Sequence, residues 1–297
     1  MNSQSNAAAE SRLKSREVAT AIITAVRPLY WSIRRELWEN RSIYIAPLAA
    51  GVLFLVGFAI NMIRMRLRDE IFWTTDQYEL APALIMGAAL IVSVFYCLDA
   101  FYGERRDRSI LFWKSLPVSD VTAVLSKLAI PILILPLVSF VITVVTQLLT
   151  LMMASAVLAG SGINLGYLWT QVSLFRVPAI WLYHLVTVHG LWYAPLYAWL
   201  LLVSAWSPRA PFMWAFLPPF VIYGVEKIAF NTSYFLNMLR YRLEGPSGGM
   251  ATEHHQDFTS TLIPHHFLST PGLWTGLVVA AVFLFATVQL RRSRGPI

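Results

Sequence analysis

The chain has little charge and almost no cysteine. Only 13% of its 297 residues are Asp, Glu, Lys or Arg, against 57% hydrophobic. A water-soluble fold with that balance would lack the polar surface to cover itself, so the bilayer is the natural solvent. Cys97 is the single cysteine, which excludes an intrachain disulfide and reads as a small buried hydrophobe. No G-x-x-x-x-G-K-[ST] sequence occurs, and the four lysines, Lys14, Lys114, Lys127 and Lys227, all lack the glycine frame that cradles phosphates. H-E-x-x-H is missing too, which argues against a membrane-embedded enzyme built on His184, His189 or Glu226. The first residues have no compact apolar core of the kind a secretory signal carries.

What the chain does have is apolar length. A hydrocarbon core needs about 20 residues per helix, and six runs meet that need, at 43 to 63, 81 to 101, 128 to 155, 179 to 206, 212 to 230 and 272 to 290. The expected fold is an all-α membrane protein of six transmembrane helices. The third and fourth runs exceed one span, and Pro131, Pro136, Pro195, Pro218 and Pro219 predict kinked, tightly packed helices. The net charge of +7 is scattered in short blocks between apolar runs, which is a signature of membrane orientation and not of nucleic-acid binding. Placing both termini in the cytoplasm puts sixteen of the 23 Lys and Arg residues inside, as the positive-inside rule prefers. Arg64, Arg66 and Arg68 are the exception, followed by Asp69, Glu70, Asp76 and Glu79 as local partners.

Ahead of the first run, Val18, Ile22, Val26, Leu29, Ile33 and Leu37 recur at steps of three and four, while Arg27, Arg34 and Arg41 recur every seven on another face. That pattern predicts an amphipathic helix along the membrane surface, with Trp31 and Trp38 near the headgroups, in an N-terminal segment covering 1 to 42. Pro28 is expected to kink or divide it.

The densest charge lies between the second and third runs, in "GERRDRSILFWKSLP", residues 103 to 117. With no Gly or Pro between Gly103 and Pro117, and Glu104 four positions before Arg108, it reads as one short helix. Ser119 or Asp120 then caps the helix leading into the third run. Charged at first and apolar later, this helix suits docking into a groove of another protein; equally, it suits an interfacial hairpin with Phe112 and Trp113 in lipid and the arginines on anionic headgroups.

Glu226 and Lys227 fall inside the fifth run, about 20 Å from its start, and intramembrane ionisable residues are functional candidates by default. Glu226 lines a substrate path or subunit contact, or is paired within the bundle; Lys227 reaches outward. His184 and His189 are five apart and so do not share a helix face. His254, His255, His265 and His266 cluster in the outer segment 231 to 270 without the spacing of a closed metal site. That segment also holds "YFLNMLRYRL", which suits the outer interface or a re-entrant position.

Glu104, Arg105, Arg106, Asp107, Arg108, Ser109 and Ile110, then Pro117, Val118, Ser119 and Lys127, resemble the cytoplasmic loop of ABC-2 type transporter permeases, bacterial ABC exporter subunits. The chain departs from the usual form at Arg108, where Gly is common, and at Ser126 before Lys127. "FWKSLPVSD", "RAPFMWAFLPPF" and "GVEKIAF" are similar to a bacterial subgroup of them. The resemblance implies a coupling helix at 103 to 117 whose Glu104, Arg105, Arg106, Asp107, Arg108, Ile110, Phe112, Trp113 and Lys114 meet a separate ATPase, with Arg106, Phe112 and Trp113 as anchors. It implies a connecting helix carrying Arg27, Trp31, Arg34, Arg35 and Trp38. It further implies a permease homodimer in the bacterial cytoplasmic membrane over two ATP-binding subunits, which bring the ATP and Mg that this chain does not need. The alternative is a non-transporting sensor or scaffold that docks the same kind of ATPase.

Overall fold

The computed structural model describes residues 27–67, 76–115, 118–158, 182–244 and 267–294. The first part of the amphipathic pattern, Arg68, Asp69 and Glu70, the loop proline Pro117 and the four outer histidines lie outside the described residues. Among the described residues every regular element is helical. Helix α1 covers 27–39, with Pro28 as its second described residue, so the kink expected there falls at the edge of the described residues. Then come α2 (Ser42–Leu67), α3 (Asp76–Asp99), α4 (Tyr102–Arg106), α5 (Ile110–Ser115), α6 (Asp120–Ala129) and α7 (Leu135–Leu158). After these, α8 spans 182–192, followed by α9 (Ala194–Trp206), α10 (Pro211–Phe230), α11 (Tyr234–Glu244) and α12 (Pro271–Ser293).

Among the described residues, five helices are long and apolar enough to cross a membrane, and six if the bent α8 and α9 form one span. Each falls on one of the six apolar runs, as a multi-pass membrane protein requires. In the third, α6 and α7 are joined by a π-helical turn, Ile130–Ile134, containing Pro131. Proline has no N–H to give to the carbonyl four residues back, and a wider turn absorbs the missing bond. The fourth is π-helical over Leu185–Trp192 and bends by 47° at Tyr193. Pro195 disfavours helical backbone just before it, and the Tyr193 N–H reaches back five residues to the Val188 carbonyl at 3.1 Å.

Packing divides into two groups. Helices α2, α3 and α7 pack on one another, α9 packs along α12, and α3 meets α9 between them. The largest core cluster lies at that junction, around Ala89, Cys97, Phe101, Leu135, Tyr197 and Leu201. Helix α10 stands apart and buries only Ala215, so its apolar rings need another apolar surface, and lipid supplies one.

The expected single helix over 103 to 117 is two. It breaks at Asp107, Arg108 and Ser109, and Arg108 adopts the left-handed conformation, φ 59°. A side chain there costs about 1 kcal/mol relative to glycine. This is the position at which the resembled loops favour Gly.

Candidate functional site

The short helices α4 and α5 are held by a buried charge network at one end of the bundle. Helix α1 supplies Arg35 and Glu36, α3 supplies Tyr96, α4 supplies Glu104, α6 supplies Asp120 and Lys127, and α12 supplies Arg291. Glu36 is 1% exposed and Lys127 3%. The Lys127 ammonium lies 2.9 Å from Glu36 Oε1 and 3.2 Å from Glu104 Oε1. Arg35 also bridges these two carboxylates, at 2.6 Å and 3.2 Å. Arg291 closes the far side, 3.0 Å from Glu104 Oε2 through Nη1 and 3.0 Å from Asp120 Oδ1 through Nε. The Tyr96 hydroxyl donates to Glu36 Oε2 at 2.9 Å.

Three carboxylates thus meet three cations. Buried ions need such pairing, because removal from water costs several kcal/mol for each. Burial by itself would raise the Glu36 carboxyl, but Lys127 and Arg35 outweigh it and hold the group below the usual glutamate range. A depressed folded value means that its stabilisation is complete above the unfolded pKa and is lost as pH falls through the folded one. The melting temperature of the wild type should therefore hold steady from neutral pH down to about 4.3 and then drop, while Glu36→Gln should blunt that acid limb. Thermal melts in detergent across this range check it.

Local structure explains why the network forms here. Ser119 caps α6, accepting from the Thr122 N–H at 3.1 Å, which starts that helix with Asp120 in its first turn beside Arg291. Ser204 of α9 accepts from the backbone N–H groups of Phe101 and Tyr102, both at 3.0 Å. Arg105 turns inward and donates to the carbonyls of Ser204 and Ser207 at the end of α9. Helix α4 is therefore fastened to α1, α6, α9 and α12 at once.

Of the nine residues expected to face a partner, Glu104, Arg105 and Ile110 point into the protein and are buried. Both of these charges find opposite charge or carbonyls inside. The rest lie outward to different degrees. Arg106 pairs with Asp107 at 3.0 Å and stays exposed, as do Asp107 and Arg108. Phe112 and its neighbour Leu111 are each 59% exposed. Trp113 is half-buried, with its ring 3.8 Å beneath the Arg35 guanidinium and packed edge-on to Phe112. Lys114 donates to the Arg294 carbonyl at 2.9 Å, leaning α5 on the end of α12.

On α1, Arg34 stacks on both Trp31 and Trp38, which are exposed, and Arg27 is exposed at its start. Ile33 and Leu37 pack against the core on the face that carries Glu36.

Glu226 is not an isolated intramembrane acid. Its carboxylate accepts from the Thr232 hydroxyl at 2.8 Å and from the N–H groups of Tyr234 and Phe235, so it caps α11 across the turn at Asn231, itself left-handed with φ 49°. Lys227 is exposed. His189 is buried and neither ring nitrogen finds a partner. Among the described residues no group of His, Cys, Asp and Glu is arranged to hold a metal.

Sequence reasoning missed Glu36, Tyr96 and Asp120 as network members, placed Lys127 in the resembled loop and among the inside charges, and counted Arg291 as an inside charge only. The available signal was Glu36 itself, a carboxylate three positions from Ile33 on an apolar stripe. It also missed Arg242 of α11, which lies over the Trp192 ring at 4.5 Å, while the Trp192 indole donates to the Arg242 carbonyl at 2.9 Å. These contacts tie α11 to α8. A side chain at Gly276 would run into the Arg242 guanidinium.

No family model, no curated protein and no solved structure matches the chain.

Proposed function

We propose that this chain is the membrane-spanning subunit of an ATP-driven exporter, working as a homodimer in the bacterial cytoplasmic membrane with both termini inside. A separate cytosolic ATP-binding subunit, in two copies, hydrolyses ATP with Mg; this chain converts the resulting movement into a change of bundle shape. The observation that carries the reading is the tip of α5. Leu111 and Phe112 stand exposed at the charged end of the bundle, on a base that is locked by ion pairs to three other elements and by hydrogen bonds to a fourth. A lever needs both parts: an apolar end that a partner can grip and a stiff root that carries the push to the spans instead of bending. Arg106, Asp107 and Arg108 ring the tip with charge, as the rim of a docking contact is usually polar. The resemblance of this loop to ABC-2 permeases points the same way and is the ground for export over import.

Deleting the whole loop would be a poor test, since Glu104 and Arg105 belong to the buried network and their loss would unfold the end of the bundle. A photo-crosslinking amino acid placed at Phe112, and another at Ile110, separates docking from folding. In native membranes the first should yield an adduct with a protein that mass spectrometry identifies as an ATP-binding cassette subunit, and the second none. Adducts from position 112 with lipid alone would sink the reading and leave an interfacial hairpin in its place.

A further inference from the structure

Beside the network, α1 and α5 do not close on the bundle. Between them and the start of α6 lies a cleft of about 520 Å³, in the size range of small-ligand sites. Its lining includes Arg27, Arg35 and Arg291, the indoles of Trp31 and Trp113, and Ser32. None of its described lining residues is acidic. The nearby carboxylates, Glu36, Glu39, Glu104 and Asp120, are engaged by Lys127, Arg35 and Arg291, which leaves Arg27 as the lining cation with no acidic partner among the described residues. Arg35 Nε is buried without a hydrogen bond, its nearest acid being Glu39 at 3.6 Å.

We propose that this cleft binds a phosphate group, and that the phosphate is the headgroup of an anionic phospholipid. Guanidinium groups match phosphate oxygens in geometry as well as charge, and Ser32 adds a hydroxyl. The placement favours lipid over a soluble phosphate. The cleft lies where the third apolar helix begins at Asp120 and the last one ends at Arg291, the level at which a spanning helix meets headgroups. Its walls continue onto exposed Tyr30, Trp31 and Trp38, amphipathic rings that favour this boundary. Pro28, Val118 and Ala123 complete an apolar side for the first part of an acyl chain. A zwitterionic headgroup would bring its own cation against the arginines and is disfavoured by like charge.

The full chain, purified in neutral detergent, is titrated with phosphatidylglycerol, with phosphatidylcholine and with inorganic phosphate, and retained molecules are counted by native mass spectrometry. The wild type should keep one phosphatidylglycerol in preference to phosphatidylcholine. Arg27→Gln, at an exposed position, should weaken retention about fivefold, and Ser32→Asp, which places negative charge in the lining, should abolish it. Retention that survives an excess of inorganic phosphate assigns the cleft to lipid; displacement by phosphate keeps the phosphate site and overturns the lipid assignment. Equal retention of the two lipids, or unchanged retention in both variants, overturns the site itself.

Discussion

Lys127→Met should lower the melting temperature in detergent by on the order of 10 °C. Lys127 is almost fully buried, and its ammonium is shared by Glu36 and Glu104. Methionine fills a similar volume, so packing is nearly conserved and the loss is electrostatic. It leaves three carboxylates facing Arg35 and Arg291, with exposed Arg292 3.9 Å from Asp120 at the rim. Removing one member of a buried pair costs about 3–5 kcal/mol, because the surviving charge is stranded without water; for a bundle of this size each kcal/mol is worth about 2–4 °C. Adding Glu36→Gln to Lys127→Met restores the balance of two acids against two bases, and the double variant should recover more than half of the loss. Only direct coupling produces such recovery, since independent sites would add their costs. If Lys127→Met melted with the wild type, the network would not be what holds this end together.

The network also marks where sequence reasoning stops. The six apolar runs were legible because hydrocarbon length is a local property, and each run holds a helix in the structure. The bend at Tyr193 was legible in part, through Pro195. The break in the loop was not, because no glycine or proline marks it. Its cause is tertiary. Six residues separate Glu104 from Ile110, which on one continuous helix turns them about 120° apart, yet both are buried. A left-handed residue at Arg108 lets both face inward. Likewise, nothing local shows that Lys127, spaced like a topology signal, would meet a carboxylate from α1, or that Arg291 would meet carboxylates from α4 and α6. Charge counts along a chain carry orientation; which charges are removed from water depends on which helices come together.

The complementary result concerns the tip. Leu111→Asp together with Phe112→Asp should leave the melting temperature of the isolated chain unchanged, and should weaken association with the proposed ATP-binding subunit on the order of a hundredfold or more. The first expectation follows from exposure: neither side chain is part of the core, and exposed substitutions usually fall within about 0.5 kcal/mol of neutral. The second follows from what such residues do at contacts, where a central aromatic anchor is worth about 2 kcal/mol or more and a desolvated carboxylate adds a further penalty. Ile110→Asp is the internal contrast. It lies one residue away but is 3% exposed, so it should unfold the loop and lower the melting temperature, whatever the partner. Affinity and stability are thus expected to separate across adjacent residues, which a helix lying in the headgroups would not produce. Surface plasmon resonance with the detergent-solubilised chain and purified ATPase measures the first, thermal melts the second. An affinity for the ATPase that survived both aspartates would move the docking surface away from α5.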